Sequence, residues 1–405
     1  MRAFKKKFKE KSGLKWSDRG DDPKTGKYAY IERSYDPESD EEESTHDAPD
    51  AKAEEPKKKA AESTLEPSVQ SLMKLIFNQS YFDATMTELN YDANKLPLGK
   101  LSKSTIARGF QALKDLSVHI NGLSVQSIGE VERLSNLYYS VIPHAFGRNR
   151  PPIIHDNAHL KKEIELLESL SDMKEAAAVL KNTLQEDDGI HKLDKQFQGL
   201  NMNEMSSIDR NSQEFTELET YLNDSKGATH HMAYNVEEIF RIERQGEFER
   251  FEQSQFSQIS SSQRRLLWHG SRVTNFAGIL SQGLRIAPPE APMSGYMFGK
   301  GIYLADMSSK SANYCCSYGS GGTALLLLCE AELGNPMHEL IHASEAAGED
   351  ARAKGMYSTW GKGTTGPSKW KDAKGVNPAL SGCLMVRSDI LSNLDYLLTL
   401  GGLLA

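Results

Sequence analysis

The chain of 405 residues is 38% hydrophobic and carries a formal net charge of −8. This length predicts two or three domains with ordinary buried cores, and the net acidity excludes a uniformly polycationic protein. The sequence has no apolar run near the roughly 20 residues of a membrane span and no signal-peptide core, which predicts a soluble intracellular protein.

Residues 1–38 form a small basic segment. Residues 1–35 hold eleven Lys and Arg against five Asp and Glu, a local net charge of +6. Alternation at Tyr28 and Tyr30 predicts a short strand. The segment is too small to bury a core alone, so it is either disordered or the end of a larger domain. Its charge favours a polyanionic partner, although a solvated charged surface explains the charge equally well.

Residues 39–63 are predicted to be a flexible acidic linker. They are rich in Asp, Glu, Pro, Lys and Ala and contain few large apolar residues, a composition that cannot offset the entropy of folding. The run PKKK at residues 56–59 is compatible with a nuclear import signal and equally with a solvated stretch of linker.

Residues 64–190 are predicted to be a helical bundle, because apolar residues recur at helical spacing in four stretches. Pro67 suits the start of the first helix, Ser102 or Ser104 suits the cap of the second, and Pro143 ends the third. The apolar positions are Val69, Leu72, Met73 and Ile76, then Ile106, Phe110 and Leu113, then Val131, Leu134, Tyr138 and Val141, and finally Ile164, Leu167, Met173 and Leu180.

Residues 191–405 have a different pattern, with more glycine and less helical periodicity. Short apolar runs separated by Gly, Ser and Asn predict several short strands. These runs lie at residues 239–242, 266–268, 301–304, 324–329, 384–386 and 396–400. The predicted fold class of the whole chain is therefore α+β, a helical bundle followed by a mixed α+β domain.

The four cysteines are Cys315, Cys316, Cys329 and Cys383. None forms a Cys-x-x-Cys pair or a Cys/His cluster at zinc spacing, so no structural metal is predicted. Adjacent cysteines suit neither an ordinary disulfide nor a shared tetrahedral site, which favours a reducing compartment.

The chemistry is concentrated in residues 264–314. This stretch contains RRLLWHGSR at 264–272, GLRIAPP at 283–289, FGKGIYLAD at 298–306 and SKSANY at 309–314. His269 and Tyr303 close Gly-flanked strands, where glycine lets a ligand approach the backbone. Together with Tyr314 they suit a flat, polar, aromatic ligand that stacks on rings and pairs with exposed backbone. Each feature alone has an ordinary structural explanation, and the Gly299-x-Gly301 pair lacks the βαβ unit of a dinucleotide fingerprint.

Taken together, these motifs resemble the catalytic core of the poly(ADP-ribose) polymerases, in their DNA-dependent branch. LPLGKLS at 96–102 and IPHAFG at 142–147 resemble the family's helical regulatory domain. GATH at 227–230 and IFRIER at 239–244 resemble the start of its transferase fold. KSGLKW at 11–16 and GKY at 26–28 resemble the tail of its Trp-Gly-Arg (WGR) domain. The resemblance thus implies a truncated WGR remnant at 1–38, a regulatory domain at 64–190 and a catalytic domain at 191–405.

The resemblance implies NAD+ as substrate and assigns roles to individual residues. His269 and Tyr303 match two members of the family's His-Tyr-Glu signature. The nicotinamide carboxamide would pair with the Gly270 backbone and the Ser311 hydroxyl, and its ring would stack between Tyr314 and Tyr303. His269 would hold the adenosine ribose with help from Ser271, and Arg285 would lie in the adenosine region. No metal takes part.

The third member of the signature, a glutamate within Asn-Glu-Tyr on a late strand, has no counterpart. The last Glu is Glu349, and only Asp350, Asp372, Asp389 and Asp395 follow it. KDAKGVNPALSG at 371–382 resembles the run before that glutamate and NLDYLL at 393–398 resembles the last strand, so the segment between them is expected to be missing. Asp389 is one methylene shorter than Glu and is not expected to replace it. A mis-spliced gene model, a real splice form and a degenerate paralogue all fit, and a second truncation at the N-terminus favours the first.

Two functional hypotheses follow. The first is a nuclear, DNA-responsive NAD+ ADP-ribosyltransferase that modifies carboxylate or hydroxyl side chains of proteins in the DNA-damage response and binds damaged DNA weakly in this truncated form. The second is a non-catalytic module that binds NAD+ or DNA. The intact NAD+ motifs favour the first, and the missing glutamate favours the second. A toxin-like transferase is opposed by the helical domain.

Overall fold

The computed structural model describes residues 1–24, 26–34, 62–120, 125–184, 189–227, 230, 232–363, 366–367, 369–387, 391–392 and 396–400, with backbone only for 125–127, 182–184, 391–392 and 396–400. The chain divides into two compact units. The first comprises Met1–Glu62, Asp83–His191 and Pro288–Gly295, and the second comprises Ser63–Phe82, Lys192–Ala287 and Tyr296–Ala405. Most of the predicted linker and Asp389 lie outside the described residues.

The first unit is built around three long helices. Its helices are α1 (Arg2–Ser12), α4 (Lys103–Ile120), α5 (Val125–Val141) and α6 (Asn157–Leu184); α2 (Pro67–Ile76) belongs to the second unit, and α3 (Gln79–Glu88) spans the boundary. The Ser102 hydroxyl accepts from the Thr105 amide at 3.0 Å and so caps α4. A Cβ added at Gly109 would lie 2.9 Å from Ile142 and 3.1 Å from Leu167, so glycine lets α4 pack closely in the bundle.

The sequence-predicted helices are confirmed. Every apolar position named for the four stretches is buried except Leu180, which is half-buried. The 3.6-residue period places these side chains on one face of each helix, and that face is the one removed from water.

The basic segment differs from its prediction. No strand forms at Tyr28 and Tyr30; the described residues of this segment contain an isolated bridge between Arg33 and Leu101 instead. The Tyr30 and Glu32 carbonyls accept hydrogen bonds from the Arg108 and Thr105 side chains of α4. The extended backbone therefore satisfies its polar groups on a helix rather than in a ladder.

A small aromatic cluster orders the rest of this segment. The Trp16 ring lies 4.9 Å from Phe4, 5.0 Å from Phe8 and 5.4 Å from Tyr30, and the Arg19 guanidinium lies over its face. Phe4 and Phe8 share one face of α1 because they are four residues apart. This helix escaped the sequence analysis because five lysines and one glutamate surround its two aromatic residues.

The second unit contains the predicted strands. A two-stranded antiparallel sheet pairs β1 (Met202–Ser207) with β2 (Phe240–Arg244). The remaining strands are β3 (Arg264–Ser271), β4 (Ile302–Ala305), β5 (Leu325–Glu332), β6 (His338–Leu340), β7 (Thr359–Lys362), β8 (Gly366–Pro367), β9 (Trp370–Asp372), β10 (Cys383–Val386), β11 (Leu391–Ser392) and β12 (Tyr396–Leu400). The main sheet has the order β6-β7-β12-β4-β3-β10-β9, with β5 also paired to β3, and β8 pairs with β11.

Short helices accompany these strands in the second unit. They are α7 (Lys192–Gly199), α8 (Gln213–Asp224), α9 (Glu247–Gln253), α10 (Phe276–Gln282), α11 (Ser308–Ala312) and α12 (Ala347–Ala353). All six apolar runs of the sequence analysis coincide with strands, and the α+β fold class is confirmed.

Strand β3 is the centre of this unit. Leu266 and Trp268 pack with Tyr221 of α8 on one face of the strand, and Leu267 packs with Leu304 on the other. β5 pairs antiparallel with β3 along its whole length. On the opposite edge β10 pairs in parallel at Arg264 and Arg265, and β4 pairs only at Trp268. Among the described strands, none pairs with that edge beyond Trp268.

Within the described part of the chain, every helix is too short or too polar to serve as a membrane span.

Candidate active site

His269 lies at the end of β3, where its imidazole is held by the neighbouring strand. Its Nδ1 is 3.0 Å from the Tyr303 carbonyl oxygen. A carbonyl can only accept, so Nδ1 carries the proton of the neutral ring. Burial lowers the pKa of His269, against the opposing effect of that hydrogen bond. The ring is therefore neutral near pH 7, and Nε2 presents a lone pair that can accept a hydrogen bond from a hydroxyl.

Gly270 makes the closest approach in the site. A Cβ added there would lie 1.8 Å from the Ser311 carbonyl oxygen and 3.1 Å from the Cys315 sulfur. Ser311 lies within α11, and its hydroxyl donates to the Trp268 carbonyl at 2.8 Å. Only glycine permits this contact between α11 and β3. The Ser311 hydroxyl is thereby held at Trp268, where the part of the β3 edge that no described strand covers begins.

Ser271 ends β3 and leads into a short 3-10 helix at Val273–Asn275. Its hydroxyl accepts from the Asn275 side-chain amide at 3.0 Å. This bond orients the Ser271 side chain beside His269 and Gly270, so three consecutive residues form one wall of the site.

Tyr303 projects from β4 and is fixed at its hydroxyl. The hydroxyl donates to the Gly299 carbonyl at 2.6 Å and accepts from the Phe298 amide at 3.1 Å. Its ring lies 6.4 Å from that of Tyr296, with 24° between the planes. The ring position is therefore set by the FGKG turn, which explains why those glycines accompany this tyrosine in the sequence.

Tyr314 and Arg285 are the more exposed of the predicted site residues. Tyr314 lies in a 3-10 helix at Asn313–Cys315 directly after α11, and half of its surface is exposed. Burial raises the pKa of the neighbouring Cys315 thiol to about 12, so this thiol is protonated and anchors the turn by donating to the Leu325 carbonyl at 3.2 Å. Arg285 is exposed beyond the end of α10.

The structure thus joins five predicted residues, His269, Gly270, Ser271, Tyr303 and Ser311, through direct contacts across β3, β4 and α11. Tyr314 is tied to them by the short turn that follows α11, whereas none of these contacts involves Arg285. Two buried residues were given no role from the sequence: Ser225, which lies beneath α11, and Ser309, which belongs to α11 and begins the SKSANY run. For Ser225 the signal in the sequence was the nearby GATH run.

Among the described residues, no group of three or more His, Cys, Asp or Glu side chains could hold a metal ion.

Comparisons with known proteins agree with these observations. The family described as poly(ADP-ribose) polymerase regulatory domain matches residues 63–197. The family described as poly(ADP-ribose) polymerase catalytic domain matches residues 212–388, which include the whole set of site residues.

Curated relatives match over most of the chain. Poly [ADP-ribose] polymerase 2-A of Oryza sativa subsp. japonica is 39% identical over 97% of this chain and 59% of its own length. Poly [ADP-ribose] polymerase 2 of Arabidopsis thaliana is 41% identical over 91% of the chain and 56% of its own length. Poly [ADP-ribose] polymerase 2 of Homo sapiens is 40% identical over 90% of the chain and 60% of its own length. The chain spans less than two thirds of the length of each of these relatives. It belongs to the poly(ADP-ribose) polymerase family, with that family's regulatory domain followed by its catalytic domain.

Proposed function

We propose that this chain is an NAD+ ADP-ribosyltransferase by descent, which binds the nicotinamide end of NAD+ at the edge of β3. The observation that carries the proposal is the contact between Gly270 and Ser311. A glycine backbone and a serine hydroxyl, held against each other at an edge that no described strand covers, offer the hydrogen-bonding groups that a flat carboxamide needs.

The other site residues have matching roles in this proposal. Tyr314 offers a half-exposed ring on which nicotinamide stacks, and the Tyr303 ring lies on the opposite side. The His269 Nε2 accepts a hydrogen bond from a hydroxyl of the adenosine ribose, and Ser271 assists. Arg285 contributes from the adenosine region, where a solvent-exposed cation suits phosphate or adenosine contacts.

The transfer itself needs a carboxylate. Breaking the bond between nicotinamide and ribose gives the ribose oxocarbenium character, which a preorganised carboxylate stabilises while it polarises the acceptor hydroxyl. The sequence after Val386 contains no glutamate. We therefore propose that this polypeptide retains NAD+ binding but has little transferase activity. A non-catalytic NAD+- or DNA-binding module is the alternative, and the missing glutamate favours it for this polypeptide.

The test of NAD+-site binding uses benzamide, which carries the carboxamide of nicotinamide on a plain ring. Calorimetry should detect benzamide binding to the parent chain. Gly270→Ala should abolish it, because the added Cβ overlaps the Ser311 carbonyl. Gly375→Ala is the matched control, since a Cβ there meets nothing within 4 Å, and it should bind like the parent.

Circular dichroism of both variants separates a lost site from a lost fold. If a folded Gly270→Ala variant binds benzamide as tightly as the parent does, the assignment of the site is wrong.

DNA binding and nuclear localisation are part of the same proposal. The basic segment has a local net charge of +6 over residues 1–35, and α1 holds five lysines on one short helix. Such a surface contacts phosphates without reading sequence. Fluorescence anisotropy with nicked duplex should give weak binding that falls steeply with salt, and a tight, salt-insensitive complex would contradict the proposal.

A further inference from the structure

Ser225 is a buried junction beneath the nicotinamide site. It is fully buried, and its hydroxyl donates to the Tyr221 carbonyl at 2.7 Å and accepts from the Trp268 indole N–H at 3.0 Å. Its carbonyl accepts from the Ser308 amide at 2.8 Å. One residue therefore links the end of α8, the strand that carries His269 and the first turn of α11.

Ser309 makes the second link between α11 and the segment that follows α8. Its hydroxyl, also fully buried, accepts from the Gly227 amide at 2.8 Å and lies 2.8 Å from the His230 Nδ1. The neighbouring Ser308 hydroxyl donates to the Leu222 carbonyl at 2.7 Å. The first turn of α11 is thus stabilised by side-chain hydrogen bonds to residues 222–230 rather than by the backbone hydrogen bonds of a long helix.

α11 needs such fastening because it spans only five residues, Ser308–Ala312. A single helical turn is unstable on its own, since nucleation fixes several dihedrals for one or two hydrogen bonds. Yet this turn and the 3-10 helix after it carry Ser311 and Tyr314, both assigned to nicotinamide. Small shifts of positioning groups of this kind cost binding and rate.

We propose that His230 is a positioning residue of the nicotinamide site, which acts through Ser309 to hold α11 in its position against β3. The inference rests on the proposed function, because nicotinamide is the ligand that Ser311 and Tyr314 would contact. His230 itself is half-buried, and its bond to Ser309 spans 79 residues of sequence. Its imidazole ties the GATH segment to the helix that lines the site.

The first measurement is hydrogen exchange without ligand. His230→Ala should speed exchange of the amides of residues 308–315 and leave those of β5 unchanged. His230→Asn should restore protection, because an Asn side chain places a polar atom near the position of Nδ1. His342→Ala is the matched control, an exposed histidine of the same unit, and should behave like the parent.

The second measurement is benzamide affinity by calorimetry. Loss of one neutral hydrogen bond predicts about three- to tenfold weaker binding for His230→Ala, with recovery in His230→Asn. In a Ser309→Ala background, His230→Ala should have no further effect, since the two residues act through one bond.

The outcomes separate the two proposals. If the parent binds no benzamide, the proposed function fails, and the exchange data alone decide whether His230 holds α11. Unchanged exchange at 308–315 in His230→Ala overturns the inference, whatever the affinity. Additive effects of the His230 and Ser309 variants also overturn it, because the histidine would then act by another route.

Discussion

At the scale of single residues, Tyr314 supplies an exposed ring on a short, well-anchored turn. An aromatic stack contributes roughly 0.5–1.5 kcal/mol beyond area burial. We therefore expect Tyr314→Ala to weaken benzamide binding by about two- to twelvefold, and Tyr314→Phe to retain the parent affinity because it keeps the ring. Calorimetry on the three proteins checks this, and equal affinities for the parent and the alanine variant would remove Tyr314 from the site.

A second residue, Glu163 of α6, gives the first unit its pH dependence. Its carboxylate accepts from the Tyr138 hydroxyl at 2.9 Å and lies 3.0 Å from His144 Nε2 and 3.3 Å from His159 Nε2. Burial alone would raise the pKa of Glu163, but the hydrogen bonds from His144, His159 and Tyr138 outweigh it and lower the pKa to about 2. A depressed carboxylate pKa stabilises the folded state above the unfolded pKa, and this contribution is lost as pH falls from about 5 to about 2.

Glu163→Gln should therefore lower the free energy of unfolding by roughly 3 kcal/mol near neutral pH. The difference from the parent should shrink as the pH falls to about 3, because the parent then loses the same contribution. Glu165→Gln, an exposed position on the same helix, is the control and should change little. Thermal unfolding as a function of pH tests this, and a difference that stays constant across the range would show that the charge of Glu163 is not responsible.

At the scale of elements, α2 belongs to the second unit, here called the catalytic unit because it holds most of the catalytic-domain match. The sequence of α2 nevertheless lies in the regulatory-domain match. Asp194 of α7 accepts from the Ser63 hydroxyl at 3.0 Å and from the Thr64 amide at 3.1 Å. The buried face of α2, with Met73 and Ile76 fully removed from water, adds apolar packing to these hydrogen bonds.

Two deletions distinguish this arrangement from a helical domain that begins at residue 64. Replacing residues 83–191 by a flexible linker should leave a cooperatively folding catalytic unit that binds benzamide. Replacing residues 64–191 should lower its melting temperature, because the loss of α2 leaves an apolar surface exposed and Asp194 loses the Thr64 amide as a hydrogen-bond partner. Equal melting temperatures for the two deletions would mean that α2 is dispensable to this unit.

At the scale of the whole molecule, the sequence has no glutamate after Glu349, which predicts low turnover. We expect the 405-residue chain to incorporate little label from NAD+ on nicked DNA, because no preorganised glutamate stabilises the transition state. Inserting a family-like segment with Asn-Glu-Tyr between Val386 and Asp389 should restore polymer synthesis, and His269→Ala in that background should abolish it. Comparable synthesis by the chain as it stands would show that another carboxylate, such as Asp389, does the work.

The helices and strands followed from the sequence because their periodicity is local. One face of α4 and one face of α5 were identified from apolar spacing alone, and the strands at 266–268 and 324–329 from short apolar runs between glycines. In the basic segment, by contrast, local periodicity predicted a strand that does not form. Its tyrosines alternate like a strand, but the Tyr30 and Glu32 carbonyls bond to α4, and no property of residues 26–34 themselves reveals partners 78 and 73 residues away.

The sequence by itself determined the family and the α+β class, because those depend on residue type at fixed spacing, and it predicted which residues hold nicotinamide. Only the tertiary structure decided that Gly270 meets Ser311, that a buried His269 is neutral and that α2 belongs with the catalytic unit. Each of these depends on two segments far apart in the chain lying within a few ångströms. Burial, hydrogen-bond partners and the pKa values they shift arise from that contact and are not properties of either segment alone.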